Sequence, residues 1–162
     1  MGIAAGDGPP ATGPTQGSLD SLFREHHDDL VRLAYLLTGG SAAAEDLVQD
    51  VFVKVSRRDG AITHPDAYLR RCVVNTVRTW QRRRMLERRH LRMEVAPTVS
   101  LGAHELADAL GVLAARERAV IVLHYYEGRS IDEIAEILDC PRGTVASLQS
   151  RGLSRLRKVI ER

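Results

Sequence analysis

Between Ser41 and Val55 the apolar residues Ala44, Leu47, Val48, Val51, Phe52 and Val55 recur at steps of three and four, with Glu45, Asp46, Gln49 and Asp50 between them. On a helix that spacing gathers the apolar set on one side and the polar set on the other. Such a stripe must be buried against a neighbour, so the chain is constrained to helix packing on helix. Ser41 is the expected N-cap. The same period runs through Leu19, Leu22, Phe23, Leu30, Leu33, Ala34 and Leu37 until Gly39 and Gly40 stop it. Beyond a polar turn at Arg57 to Thr63, Pro65 is suited to start a third helix reaching about Leu91, with Leu69, Cys72, Val73, Thr76 and Trp80 as its inner face.

Aromatic residues make up only 4% of the 162, and Val, Ile and Thr form no alternating runs, which argues against a sheet. The expected class is all-α, with two small helical domains over 18–92 and 104–162 joined by a linker over 93–103 that contains Pro97. Residues 1–17, rich in glycine and proline, cannot offset the entropy of ordering and are expected to be a disordered tail. No apolar stretch approaches the roughly 18 residues of a membrane span and no signal sequence is evident, so a cytoplasmic location without membrane insertion is expected. Cys72 and Cys140 lack CxxC spacing, the six histidines show no metal spacing, and neither a nucleophile elbow nor a phosphate loop occurs. The expectation is a non-enzyme without cofactor or metal, in which His26 and His27 lie on a helix surface.

Charge is segregated although the net value is only +2. Residues 20–50 carry seven acids against Arg24 and Arg32, a net of −5, and residues 70–92 carry nine arginines against Glu87, a net of +8. The alternation repeats, with −5 over 104–139 (eight acids, three arginines) and +5 over 140–162 (six bases, Glu161). Phosphate repels the acidic surfaces and attracts the basic ones, so the pattern suits a chain that holds nucleic acid at two places and something else elsewhere.

The second unit reads as a helix with Leu106, Leu110 and Leu113, another with Val120, Leu123 and Tyr126 ended by Gly128, and a compact pair over 130–160. Ser130 and Glu133 form an S-x-x-E capping box, and Ile131, Ile134, Ala135 and Leu138 make one face of a two-turn helix. After a tight turn at Asp139 and Cys140, Pro141 starts a helix with Val145, Gly152, Leu156 and Val159 on one side and Ser147, Ser150, Arg151, Ser154 and Lys158 on the other. This is helix-turn-helix geometry, in which short polar and Arg side chains on the second helix reach base edges.

The segments YLLTGG, AEDLVQDVFVKV and DAYLRRCVVNTVRTWQRRR, followed by RERAVIVLHYYEG, IDEIAEIL and CPRGTVAS, resemble in order and spacing the extracytoplasmic-function sigma factors of the sigma-70 class over residues 18–160. The resemblance implies a sigma 2 and a sigma 4 domain that bind RNA polymerase core and direct it to promoter DNA, with room for an anti-sigma factor as a further partner. It implies that Asp46, Gln49, Asp50 and Phe52 contact the polymerase, although Phe52 lies on the apolar stripe. It matches Asn75, Arg78, Trp80, Arg82, Arg83 and Arg84 to the segment that opens and reads the −10 element, where cations follow phosphates and aromatic surfaces meet unstacked bases. By the same resemblance Thr144, Ser147, Ser150, Arg151, Ser154 and Lys158 face the −35 element.

The chain departs from the family at Ala146, Ser147, Leu148 and Gln149, where a basic residue, Ser, Arg and an apolar residue are usual. Gln149 falls near the expected buried face, so either the helix rotates to bury Leu148 or Gln149 finds an internal hydrogen bond. The proline usual before the RER segment is replaced by Ala114 or Ala115. Two rival functions have weaker support: a stand-alone helix-turn-helix regulator, opposed by the Arg70–Arg92 block, and a partner-sequestering adaptor, opposed by both basic blocks.

Overall fold

The computed structural model describes residues 16–58, 60–91 and 103–161. Seven helices follow one another among them: α1 (Gln16–Thr38), α2 (Ser41–Ser56), α3 (Pro65–Leu91), α4 (Ala103–Leu110), α5 (Ala115–Ile121, continued by a π turn over Val122–Tyr126), α6 (Ile131–Leu138) and α7 (Arg142–Ile160). Helix α1 starts two residues inside the expected tail; residues 1–15 and 92–102, which include Pro97 and all but the last residue of the expected linker, lie outside the described residues.

Helices α1, α2 and α3 pack on one another around Leu30, Leu33, Val48, Val51, Val55, Leu69, Val73 and Val77, all buried. Gly39, at φ 79°, ends α1, a conformation that costs glycine little. Ser41 is the first residue of α2, not its cap: Gly40 holds the N-cap position in extended backbone and gives no side-chain bond. On α3 the buried face runs through Leu69, Arg70, Val73, Val74 and Val77, while Cys72, Thr76 and Trp80 flank it half-buried.

In the C-terminal half α5 packs on α7, and α6 on α7, around Val120, Leu123, Ile134 and Val145. Leu106 and Tyr126, expected inside, face solvent instead. Leu106 gives its place to its neighbour Ala107, one residue out of phase. Tyr126 is displaced by the π turn, closed by Glu127 N–H donating to Val122 C=O at 3.0 Å, which adds a residue to one turn and rotates the next residues about the helix axis. Val122 and Leu123 are therefore buried, and Tyr125 and Tyr126 exposed.

The two halves are in contact. Helix α3 packs on α6, and α1 on α4, and the buried apolar residues of both halves form one continuous cluster. The seam also contains charge. Arg70 Nε donates to Glu127 Oε2 at 2.5 Å, Arg129 Nη2 donates to Asp66 Oδ2 at 2.5 Å, and Arg70 Nη1 also pairs with Asp66. Arg70, expected within the basic surface, is thus buried among ion pairs, and His26, expected at a helix surface, is buried beside Asp66 with Nδ1 3.8 Å from Oδ1. No helix among the described residues is long and apolar enough to cross a membrane.

Candidate functional site

The polar side of α2 is free. Asp46, Gln49 and Asp50 are exposed one turn apart, with Glu45 and the apolar Val53 beside them. Phe52 is not part of that surface: it is 6% exposed, and its ring lies 4.9 Å from that of Phe23. The expectation that Phe52 meets a partner is corrected accordingly, because the period that makes the stripe places it inward.

Helix α3 outlasts its packing. Past Val77 the buried positions cease, and Arg82, Arg83 and Arg84 are exposed; Asn75 is also exposed, and Arg78 is half-buried. Trp80 is half-buried against the core, with Arg84 Cζ 4.9 Å from its ring centroid. The indole with Arg84 over it lies beside Arg82 and Arg83, and aromatic groups among cations are the elements from which single-strand binding surfaces are built. Met85 and Leu86, 59% and 56% exposed, extend this end of α3 with apolar surface. Sequence reasoning missed them, although two apolar residues amid charge with no period to bury them are a signal in themselves.

The helix-turn-helix is built as its sequence demands. Ser130 Oγ accepts from Glu133 N–H at 3.2 Å and Glu133 Oε2 accepts from Ser130 N–H at 2.8 Å, closing the capping box. Ser130's backbone and then side-chain bonds hold the Glu133 carboxyl below its ordinary value, with Arg129 adding to the effect. Asp139 takes a left-handed conformation, φ 50°, as the C-cap of α6, and Pro141 is the N-cap of α7, one position before the helix it was expected to begin. Arg142 Nε reaches back to Asp132 at 2.8 Å, fixing the start of α7 to the start of α6.

Ser147, Ser150, Arg151, Ser154 and Lys158 are all exposed, at spacings of three and four that form one strip; Thr144 is half-buried at its edge. Leu148 is 6% exposed and packs with Val145 in the core, so α7 is rotated to bury it. Gln149 is half-buried on the flank and donates from Nε2 to Tyr125 Oη at 3.2 Å. Of the expected inner residues, Gly152 is buried, Leu156 half-buried and Val159 exposed. Glu117, 3% exposed on α5, accepts from Ala114 N–H at 3.3 Å and from Arg155 Nη1 at 3.1 Å, which ties the second half of α7 to the bundle.

The arrangement presents three chemistries on separate elements: carboxylates on α2, cations with an aromatic and apolar surface on α3, and hydroxyls with cations on α7. Known proteins carry the same order. The family model described as Sigma-70 region 2 matches residues 22–87, and that described as Sigma-70, region 4 matches residues 109–158. The RNA polymerase sigma-E factor of Streptomyces avermitilis is 36% identical over 153 residues, covering 88% of this chain and 84% of that one. The ECF RNA polymerase sigma factor SigM of Mycobacterium tuberculosis is 31% identical over 151 residues, covering 88% and 77%. Among solved structures, the sigma factor RpoE of Bartonella quintana, in complex with the anti-sigma factor NepR, superposes with a TM-score of 0.69 at 26% identity over 88% of this chain and 96% of that one. CnrH in complex with the cytosolic domain of CnrY gives 0.65 at 25% identity over 91% and 90%.

Proposed function

We propose a division of labour from one premise: the chain belongs to the sigma-70 family, in its extracytoplasmic-function branch, and binds RNA polymerase core to direct promoter recognition and transcription initiation. Residues 18–92 act as the sigma 2 unit and 104–162 as the sigma 4 unit. Asp46, Gln49 and Asp50 meet a basic surface of the polymerase, with Phe52 holding that helix face in place from behind. Asn75, Arg78, Trp80 and Arg82 to Arg84 engage the −10 strand as it separates. Thr144, Ser147, Ser150, Arg151, Ser154 and Lys158 engage the −35 duplex. RNA synthesis stays with the polymerase; the chain contributes binding, in the cytoplasm, without a cofactor.

The observation that carries this reading is the coincidence of an exposed acidic face, an unburied arginine run with its indole, and a capped helix-turn-helix in the order in which the two family models match. A stand-alone regulator would have no use for the first two. An anti-sigma protein is proposed as a further partner, since RpoE of Bartonella quintana was solved with one. Run-off transcription with purified core, with and without the chain, on genomic fragments provides the test. Initiation at new sites only when the chain is present is expected, and initiation indifferent to it would overturn the reading.

A further inference from the structure

The connection between α2 and α3, with the first turns of α3, leaves a cleft of about 290 Å³ against α6. Ile62, Tyr68 and Ile137 line it with apolar surface, Ile137 buried and the other two half-buried, and Ala67 is too short to fill the space between them. The rim is charged, with Arg58, Arg71 and Arg129 against Glu133 and Glu136.

Cations are left over on this rim. Arg58 lies with its Cζ 4.6 Å from the centroid of the Tyr68 ring and has no carboxylate partner among the described residues. Stacking occupies the face of the guanidinium and leaves its N–H edge free to donate. Arg71, with a side chain 47% exposed, has only the solvent-exposed Asp139 at 3.9 Å. Arg129 commits its two Nη atoms to Asp66 and Glu133, yet its Nε is buried with no hydrogen-bond partner. Glu133 is already held by Ser130 N–H and Arg129, so Glu136 is the carboxylate of the rim that stays unpaired among the described residues.

A buried donor without an acceptor and two loosely held guanidiniums beside an apolar floor are suited to an anion with an apolar body. The volume lies at the lower end of the roughly 300–1,000 Å³ of small-molecule pockets, which restricts the occupant to a small ligand. Glu136 selects among anions, because it repels a singly charged carboxylate about half as strongly as a doubly charged phosphate monoester. An ammonium group would answer Glu136 but leave the guanidinium donors unanswered.

We propose that this cleft binds a small organic acid, with its apolar body on Ile62, Tyr68 and Ile137 and its carboxylate accepting from Arg58 and Arg71 at the rim. Arg129 Nε is a further donor in the same wall. The site is separate from the surfaces assigned to polymerase and DNA, since none of the residues placed there lines it. Both halves of the chain supply walls, so occupancy stabilises the folded chain by mass action.

Titration calorimetry on the full chain tests this with naphthoate as the probe, and with naphthylmethanol and naphthylmethylamine as its uncharged and cationic counterparts. Naphthoate is expected to saturate a single site, and the other two to bind about tenfold more weakly for want of charge-assisted hydrogen bonds. The double change Arg58→Gln, Arg71→Gln, at exposed positions, is expected to weaken naphthoate about tenfold and leave naphthylmethanol unchanged. Ala67→Trp, also at an exposed position, is expected to fill the cleft and remove binding of all three. Circular dichroism reports whether each variant folds; if the double variant does not, Arg58→Gln alone decides, since Arg58 has no ion pair to lose. Naphthoate that fails to saturate the folded chain, an amine or alcohol that binds as tightly, or naphthoate binding untouched by the arginine changes would each overturn the site.

Discussion

A Cβ built on Gly152 would lie 3.0 Å from Cγ1 of Ile121 and 3.3 Å from its Cδ1, so α7 and α5 approach as closely as a residue without a side chain permits. Ile121 is buried and has little room to yield. Alanine at 152 would gain about 0.5–1 kcal/mol of helix propensity, and overpacking of this kind costs about 1–3 kcal/mol. Gly152→Ala is therefore expected to lower stability by about 1 kcal/mol and Gly152→Val by more, read as the shift in urea midpoint at constant slope. A stabilised alanine variant would show that Ile121 can move aside.

The capping box predicts a pH dependence for the helix-turn-helix. Because the Glu133 carboxyl is held below its ordinary value in the fold, its contribution is fully present above the unfolded value and is lost as pH falls through the folded one. Glu133→Gln should thus be less stable than the parent at neutral pH, with the difference vanishing in acid; the side chain is largely exposed, so the effect is modest. Ser130→Ala removes the other half of the box and should cost about 1 kcal/mol at neutral pH and less in acid, since its side chain helps hold the Glu133 carboxyl down. Thermal melts of both variants between acid and neutral pH provide the comparison.

These features are unequally legible in the sequence. The α2 stripe, the capping box and the turn at Asp139 can be read because each is written within one or two helical turns. Arg70 escapes such a reading because a run of arginines looks uniformly exposed, and its partner Glu127 lies 57 positions away, beyond any local pattern. Tyr126 escapes it because the three-residue step from Leu123 assumes an α-helix, whereas a π turn occupies that stretch. Of the two alternatives at 148 and 149 the first is realised: Leu148 turns inward, while Gln149 bonds Tyr125 at the surface, a residue that no spacing rule on α7 would supply.

Asp46 and Asp50 stand exposed opposite the buried stripe, so charge reversal there should leave the fold intact. The double change Asp46→Lys, Asp50→Lys is expected to weaken binding to polymerase core at least tenfold, about 1.4 kcal/mol, by setting like charges across the interface. Pull-down with core against a circular-dichroism control measures it. Unchanged retention would remove both residues from the interface.

Beyond the last buried turn of α3, Arg82, Arg83 and Arg84 can be replaced by alanine with little loss of stability. The triple variant should impair promoter opening more than first engagement of the duplex, since only the separated strand needs cations beside the Trp80 surface. Permanganate reactivity of melted thymines, at matched promoter occupancy, is the measurement; normal reactivity would reduce the block to a solvated face.

On α7 the strip facing outward is mostly serine, and Arg151 is the cation near its middle, its Nε resting 3.4 Å from the C=O of Ser147. Arg151→Ala should cost about 1–3 kcal/mol of −35 discrimination if the guanidinium reads a base edge, or weaken all sequences alike if it meets phosphate. Ala146, exposed one turn from the helix start, offers the opposite change: Ala146→Arg should raise affinity and steepen the salt dependence by about one counterion. Burial of Leu148 fixes the phase of the helix, so both positions can be tested against one orientation. Holoenzyme made with each variant, titrated against salt on promoters with an intact or scrambled −35 element, separates base reading from phosphate contact. If neither substitution alters the discrimination or the salt slope, the strip from Ser147 to Lys158 does not face DNA.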